Sequence, residues 1–149
     1  MWVKELMSSP AITVQPDTTL KEIMQLLTTR HISSVPVVDA DERLLGIIGW
    51  KELFPSARYV RASDVRAPAV FKRITDPKNI VASYKAAASL PARQIMSPRP
   101  VVRGVDDDLD ELIFTMAKEN LHMIPVVQDD HLVGVVTRTD VIRFLAKEL

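Results

Sequence analysis

Near the C-terminus, four consecutive residues have types and spacing that suit chemistry. The stretch GVVTRTD, Gly134 to Asp140, runs from an apolar segment into a hydroxyl (Thr137), a guanidinium (Arg138) and, three residues after the hydroxyl, a carboxylate (Asp140). An ionised carboxylate only accepts hydrogen bonds and can take two donors at once. A helix beginning here would add free N–H groups and a partial positive charge, which favour an anion. The same residues have a plainer use. Thr137 or Thr139 could cap the helix, and Asp140 could sit in its favourable first turn. An anion and a cap compete for the same N–H groups, so both readings stand.

An earlier stretch, GIIGWKE from Gly46 to Glu52, has the same layout with its polar groups changed. Gly49 stands in the hydroxyl position, Trp50 in the guanidinium position and Glu52 in the carboxylate position. Losing one hydroxyl bond to a charged group costs roughly 1.5–3 kcal/mol. A binding site built here is therefore expected to be weaker by about one to two decades, or empty. Trp50 offers a stacking surface instead.

Other constellations point less far. His31, His122 and His131 lack the regular spacing of metal ligands, and the chain has no cysteine to support them. His131 falls in the polar stretch DDH and is expected in a solvated turn, whereas His122 directly precedes the apolar MIPVV. The acidic run from Asp106 to Glu111 suits a helix start, and no nucleophile is placed beside it. No Walker or dinucleotide glycine motif is present.

The elements that must position these residues come from an internal repeat. Ile12 to Val38 matches Val101 to Val127 at an offset of 89, pairing Asp17 with Asp106, Leu20 with Leu109 and Pro36 with Pro125. One residue less then separates LLGII (Leu44 to Ile48) from LVGVV (Leu132 to Val136). In each copy a short β-rich run, Ile12 to Val14 or Val101 to Val102, predicts a strand. Thr19 with Glu22, and Asp108 with Glu111, mark a capped helix start. Apolar residues then recur at Leu20, Ile23, Met24 and Leu27, and at Leu109, Leu112, Ile113 and Met116, as one buried helix face requires. SVPVV and MIPVV read as strands whose prolines belong near a strand start or an edge. The Gly-bearing strands follow, then a short helix near Lys51 to Phe54 or a longer one from Thr139 to about Lys147. The unit is β-α-β-β-α, twice.

The expected organisation is a first repeat over 1–54, an insertion over 55–91 and a second repeat over 92–149. The insertion carries seven Lys or Arg against two acids. Within it, DPKNIVASYKAAASL predicts a helix capped by Asp76 with Pro77 in its first turn. Arg58 and Arg61 could meet nucleic-acid backbone, but a solvated face or a partner contact is the more ordinary use of such charge, and nucleic acid is not the expected partner. Tyr59, Phe71 and Tyr84 read as packing residues. The 149 residues carry a formal net charge of zero, so no global field attracts nucleic acid or an anionic membrane. No apolar run approaches a membrane span, and the first residues lack a signal-peptide layout. A cytoplasmic location is the default.

The capped helices, the middle PVV strands, IMSPRPVV (Ile95 to Val102) and GVVTRTD together resemble the cystathionine-β-synthase (CBS) domain, and the doubled unit resembles a CBS pair, or Bateman module. That resemblance implies an α/β fold of two repeats about a pseudo-twofold axis. It implies a regulatory module without catalysis of its own, homodimerisation, and output to a separate effector protein. It implies an adenine nucleotide (AMP, ADP or ATP, with S-adenosylmethionine less favoured) in a cleft between repeats, and no obligatory cofactor. The family pattern places Gly134, Thr137 and Asp140 at that ligand, with Asp140 accepting from ribose hydroxyls and Thr137 and Arg138 on a phosphate. Candidate walls are Ile95, Pro100, Val101, Met123, Ile124 and Pro125, with His122 facing the cleft. A weaker first-repeat site would use Val35, Pro36, Gly49, Trp50 and Glu52.

Overall fold

A computed structural model describes residues 1–54 and 77–149. Asp76 and the expected basic and aromatic residues Arg58, Tyr59, Arg61 and Phe71 lie outside the described residues.

The first repeat contains α1 (Leu20–Arg30), β1 (Val35–Val38), β2 (Leu44–Ile48) and α2 (Trp50–Leu53). Then come α3 (Ile80–Ala87), α4 (Ala92–Ile95) and β3 (Ser97–Pro98). The second repeat contains β4 (Arg103–Gly104), α5 (Leu109–Lys118), β5 (Met123–Gln128), β6 (His131–Thr137) and α6 (Arg138–Glu148). This is the expected mixed α/β fold, two repeats about a pseudo-twofold axis, each with a three-stranded sheet.

Local signals account for much of it. Thr19 Oγ1 accepts from Glu22 N–H, and Glu22 returns a carboxylate oxygen to Thr19 N–H at 2.9 Å. Asp108 Oδ1 accepts from the N–H groups of Asp110 and Glu111. The apolar faces of both helices turn inward: Leu20 and Ile23 are buried in one core, Leu112 and Met116 in the other, and Leu109 is buried as well. Each such side chain contributes about 1.5–3 kcal/mol on full burial.

The short runs before the helices behave differently from expectation. Val14 makes only a single bridge to Val37, and β4 begins two residues after Val101. Pro125 is the third residue of the central strand β5. Its missing donor is tolerated because the parallel pairing with β4 starts only at Val126. α3 starts three residues after Pro77, behind a 3-10 turn, and stops at Ala87. The chain after it has a tertiary task. The carbonyls of Leu90 and Ala88 accept from the N–H groups of Leu20 and Lys21, which the start of α1 leaves free. His131, expected in a solvated turn, opens β6 and bridges Arg43 of the first repeat.

The leading segments cross over. The first residues of the first repeat pack on the second, and the first residues of the second repeat pack on the first. Val3 N–H donates to Asp107 O and Ala92 N–H donates to Thr18 O, at equivalent positions of the two copies. Lys4 pairs with Asp106 at 2.6 Å, and Arg93 pairs with Asp17. Val3 joins the core of Leu112 and Ile124, whereas Ala92 and Ile95 join that of Ile23 and Val35. Ser97 and Pro98 form β3 against Ile47 and Gly46, and Ser8 bridges Val135. The Gly-bearing strands make this approach possible. A Cβ on Gly46 would lie 2.7 Å from Ser97 O, and one on Gly134 would lie 2.9 Å from Ser8 O.

Candidate functional site

Among the described residues, two cavities between the repeats each border a buried carboxylate. The larger, about 360 Å³, is lined by Thr137, Thr139, Asp140 and Arg143 from the start of α6, by Ser8, Pro10, Ala11 and Ile12, and by His31 to Ser34. The smaller, about 200 Å³, is lined by Gly49 to Glu52, by Ser97 to Val101 and by Leu121. Ser34, His122 and Met123 line both, so the cavities share one wall where the repeats meet.

At the larger cavity both readings of GVVTRTD hold in part. Thr137 is the N-cap of α6: its Oγ1 accepts from Asp140 N–H at 3.2 Å, and Asp140 Oδ2 accepts from Thr137 N–H at 2.8 Å. Asp140 is 5% exposed. Its Oδ2 also accepts from Thr137 Oγ1 at 3.0 Å. Its Oδ1 accepts from Ser8 Oγ at 3.0 Å and from Arg143 at 3.3 Å. The carboxylate is thus buried against protein and still borders the cavity. Thr139 makes no cap and lies exposed on the cavity wall.

The smaller cavity repeats the plan with fewer bonds. Glu52, 6% exposed, accepts from Gly49 N–H at 2.9 Å and from Ser97 Oγ at 2.7 Å. Ser97 and Ser8 are equivalent residues on the two crossing segments. Trp50 borders this cavity while its ring stacks on Phe54 at 4.6 Å. The position of the missing hydroxyl is partly filled, because a Cβ on Gly49 would meet Ser34 Oγ at 2.8 Å.

The other expected wall residues need correction. Pro100 and Val101 line the smaller cavity beside Glu52, because β3 carries them across to the first sheet. Their counterparts Ala11 and Ile12 face Asp140 in their place. Ile95 is buried in the first core from α4. Ile124 is buried in the second core, and Pro125 is buried in β5. Val35 and Pro36 are buried in β1; the residue before the strand, Ser34, reaches the cleft instead. Arg138 does not line either cavity. Its Nε donates to Leu121 O at 2.8 Å and its Nη2 to Asn120 Oδ1 at 2.6 Å, which ties α6 to the turn ahead of β5. Ser8, His31, Ser34 and Arg143 also line the larger cavity, and no motif in the sequence marks them. The constant repeat offset could have pointed to Ser8 through Ser97, but nothing local marks the crossing.

His122 borders both cavities. Burial, then the positive charges of Arg138 and Lys51, holds its imidazole below the ordinary histidine value, while Glu52 opposes them. Among the described residues, no group of three or more His, Cys, Asp or Glu is placed to hold a metal ion. No helix among them is long and apolar enough to cross a membrane.

Comparison with known proteins agrees with this architecture. The chain is 27% identical over 154 aligned positions to the uncharacterized protein MJ1426 of Methanocaldococcus jannaschii, covering 97% of this chain and 91% of that one. The CBS domain pair of protein MJ0100, solved with 5′-methylthioadenosine and S-adenosyl-L-methionine, superposes at a TM-score of 0.71 with 23% identity, covering 100% and 98% of the two chains. CBSX2, solved in complex with AMP, superposes at 0.73 with 19% identity, covering 99% and 97%. The CBS domain model matches residues 3–56 and again 92–147. With the motif doubled in sequence and a three-stranded sheet built around each copy's hairpin, the chain belongs to the CBS domain family.

Proposed function

We propose that this chain is a regulatory module that binds an adenine nucleotide between its repeats, mainly in the larger cavity. The carrying observation is the composition of that cavity: a buried carboxylate, a helix N-terminus and the cationic Arg143 around about 360 Å³. Asp140 would take sugar hydroxyls, and the start of α6, through the exposed Thr139 and Arg143, would take the phosphate. Ala11, Ile12, Ile32 and Met123 would enclose the base. The complexes of MJ0100 with S-adenosyl-L-methionine and of CBSX2 with AMP support this ligand class. The smaller cavity, with Glu52 but no equivalent hydroxyl, would bind more weakly.

Ligand binding would act by favouring one arrangement of the repeats, or of two protomers, over another. The proposed role is regulatory, with no catalysis by the module itself. A homodimer fits the exposed apolar side chains of Phe114 on α5 and Ile142 on α6, each 67% exposed.

A thermal-melt screen with AMP, ADP, ATP and S-adenosylmethionine tests the reading. A ligand at 100 times its Kd stabilises the fold by about 2.7 kcal/mol, a clear upward shift. No shift with any of the four would sink the nucleotide reading and leave a structural dimerisation module, whose self-association Asp140→Ala would not alter.

A further inference from the structure

Asp140 has no acceptor capacity to spare. An ionised carboxylate offers about four lone-pair positions. Four donors already meet it: Thr137 N–H, Thr137 Oγ1, Ser8 Oγ and Arg143 Nη1. A ligand hydroxyl can reach this carboxylate only by displacing one of them.

The four are not equally replaceable. The Thr137 N–H belongs to the helix cap, and the Thr137 hydroxyl is held in the same box by Asp140 N–H. Displacing Arg143 would separate a charge pair whose acid is buried. The Ser8 hydroxyl is neutral, is the same chemical group as the incoming one, and turns about a single side-chain bond. Its exchange for a ligand hydroxyl replaces one bond by another. The backbone of Ser8 need not move: its N–H and carbonyl stay paired with Val135 at 2.8 and 3.0 Å. Ser9 Oγ adds a further bond to Val133 O at 2.8 Å.

We propose that Ser8, carried by the leading segment of the first repeat, sets the affinity of the larger cavity by occupying Asp140 Oδ1 until a ligand hydroxyl replaces it. The proposal rests on the reading that a sugar diol engages Asp140. It makes the affinity of the second-repeat site depend on a residue about 130 positions away in sequence, at the other end of the chain.

Titration calorimetry with AMP and ATP, and with their 2′,3′-dideoxy forms, tests it on the full chain. Ser8→Ala removes the competitor and should tighten AMP or ATP by about tenfold, with no change for the dideoxy forms. Ser9→Ala loosens the same segment without touching Asp140 and should leave all constants unchanged. The proposal is overturned if Ser8→Ala leaves ribonucleotide affinity unchanged or weakens it. It is also overturned if Ser9→Ala tightens binding equally, or if the dideoxy forms gain as much. Binding of neither nucleotide by the wild-type chain or either variant would overturn the nucleotide reading of the cavity, and this proposal with it. Binding without the Ser8 effect would overturn this proposal alone.

Discussion

The two cavities of this chain are built on one plan and finished differently. At the start of α6, Thr137 and Asp140 form a reciprocal cap, and the carboxylate gathers Ser8 and Arg143 as well. At the start of α2, Gly49 leaves only half of that box, and Glu52 holds Gly49 N–H and Ser97 Oγ. The helices differ in the same sense, with four residues in α2 against eleven in α6. Both carboxylates are buried, and each is met by the serine of the segment that crosses from the other end of the molecule. A shared scaffold can therefore fix where an acid sits while the neighbouring residues decide how fully its acceptors are used.

Removing the carboxylates should show the difference most clearly. Asp140→Ala leaves a cap and several part-buried donors without their acceptor and should cost about 1–3 kcal/mol of stability. Glu52→Ala should cost about half as much. Denaturant midpoints measure both, and equal losses would show that the extra bonds at Asp140 contribute nothing.

The glycines beneath the crossing segments come next. Gly46→Ala places a Cβ 2.7 Å from a backbone oxygen, and Gly134→Ala places one at 2.9 Å. Overpacking of this kind costs about 1–3 kcal/mol. Gly46→Ala should be the worse of the two by melting temperature; the reverse order would mean that the crossing backbone gives way more readily at Ser97 than at Ser8.

A smaller effect tests whether the first cavity can be rebuilt as the second. Gly49→Thr alone should lower stability by about 1 kcal/mol, because Ser34 Oγ stands 2.8 Å from the new Cβ. Adding Ser34→Ala should recover that loss. No recovery in the double variant would show that another neighbour obstructs the site.

The smallest effect concerns the shared wall. The folded state holds His122 below its ordinary value, so on acidification the unfolded chain takes up its proton first. Stability from this group is present above the ordinary histidine value of about 6.5 and falls as pH drops through it toward the lowered folded value. His122→Gln should flatten the pH dependence of the melting temperature in that window. An unchanged slope would assign the dependence to other groups.

Local patterns made the repeat, its helices and its middle strands legible, because caps, apolar spacing and Gly-bearing strands act over a few residues. Thr137, Asp140, Met123 and His122 were found at the larger cavity for the same reason, since they flank a strand and a helix start that can be read in place. Pro100, Val101 and Ile95 were assigned to the wrong surroundings, because sequence proximity to the second repeat says nothing of the sheet they join. Arg138, which the motif pattern places on a phosphate, lines neither cavity; its Nε and Nη2 donate to Leu121 O and Asn120 Oδ1.

Sequence alone determined that this chain carries two copies of one unit, and that the copies differ at Gly49, Trp50 and Glu52. Tertiary structure decided which ends of the chain each unit borrows, and so which side chains face each carboxylate. The reason is the reach of the forces involved. Helix capping and strand alternation are settled within one or two turns, whereas the crossing of Ser8 to Asp140 is settled only when the distant strand bearing Gly134 leaves room for a backbone to lie against it.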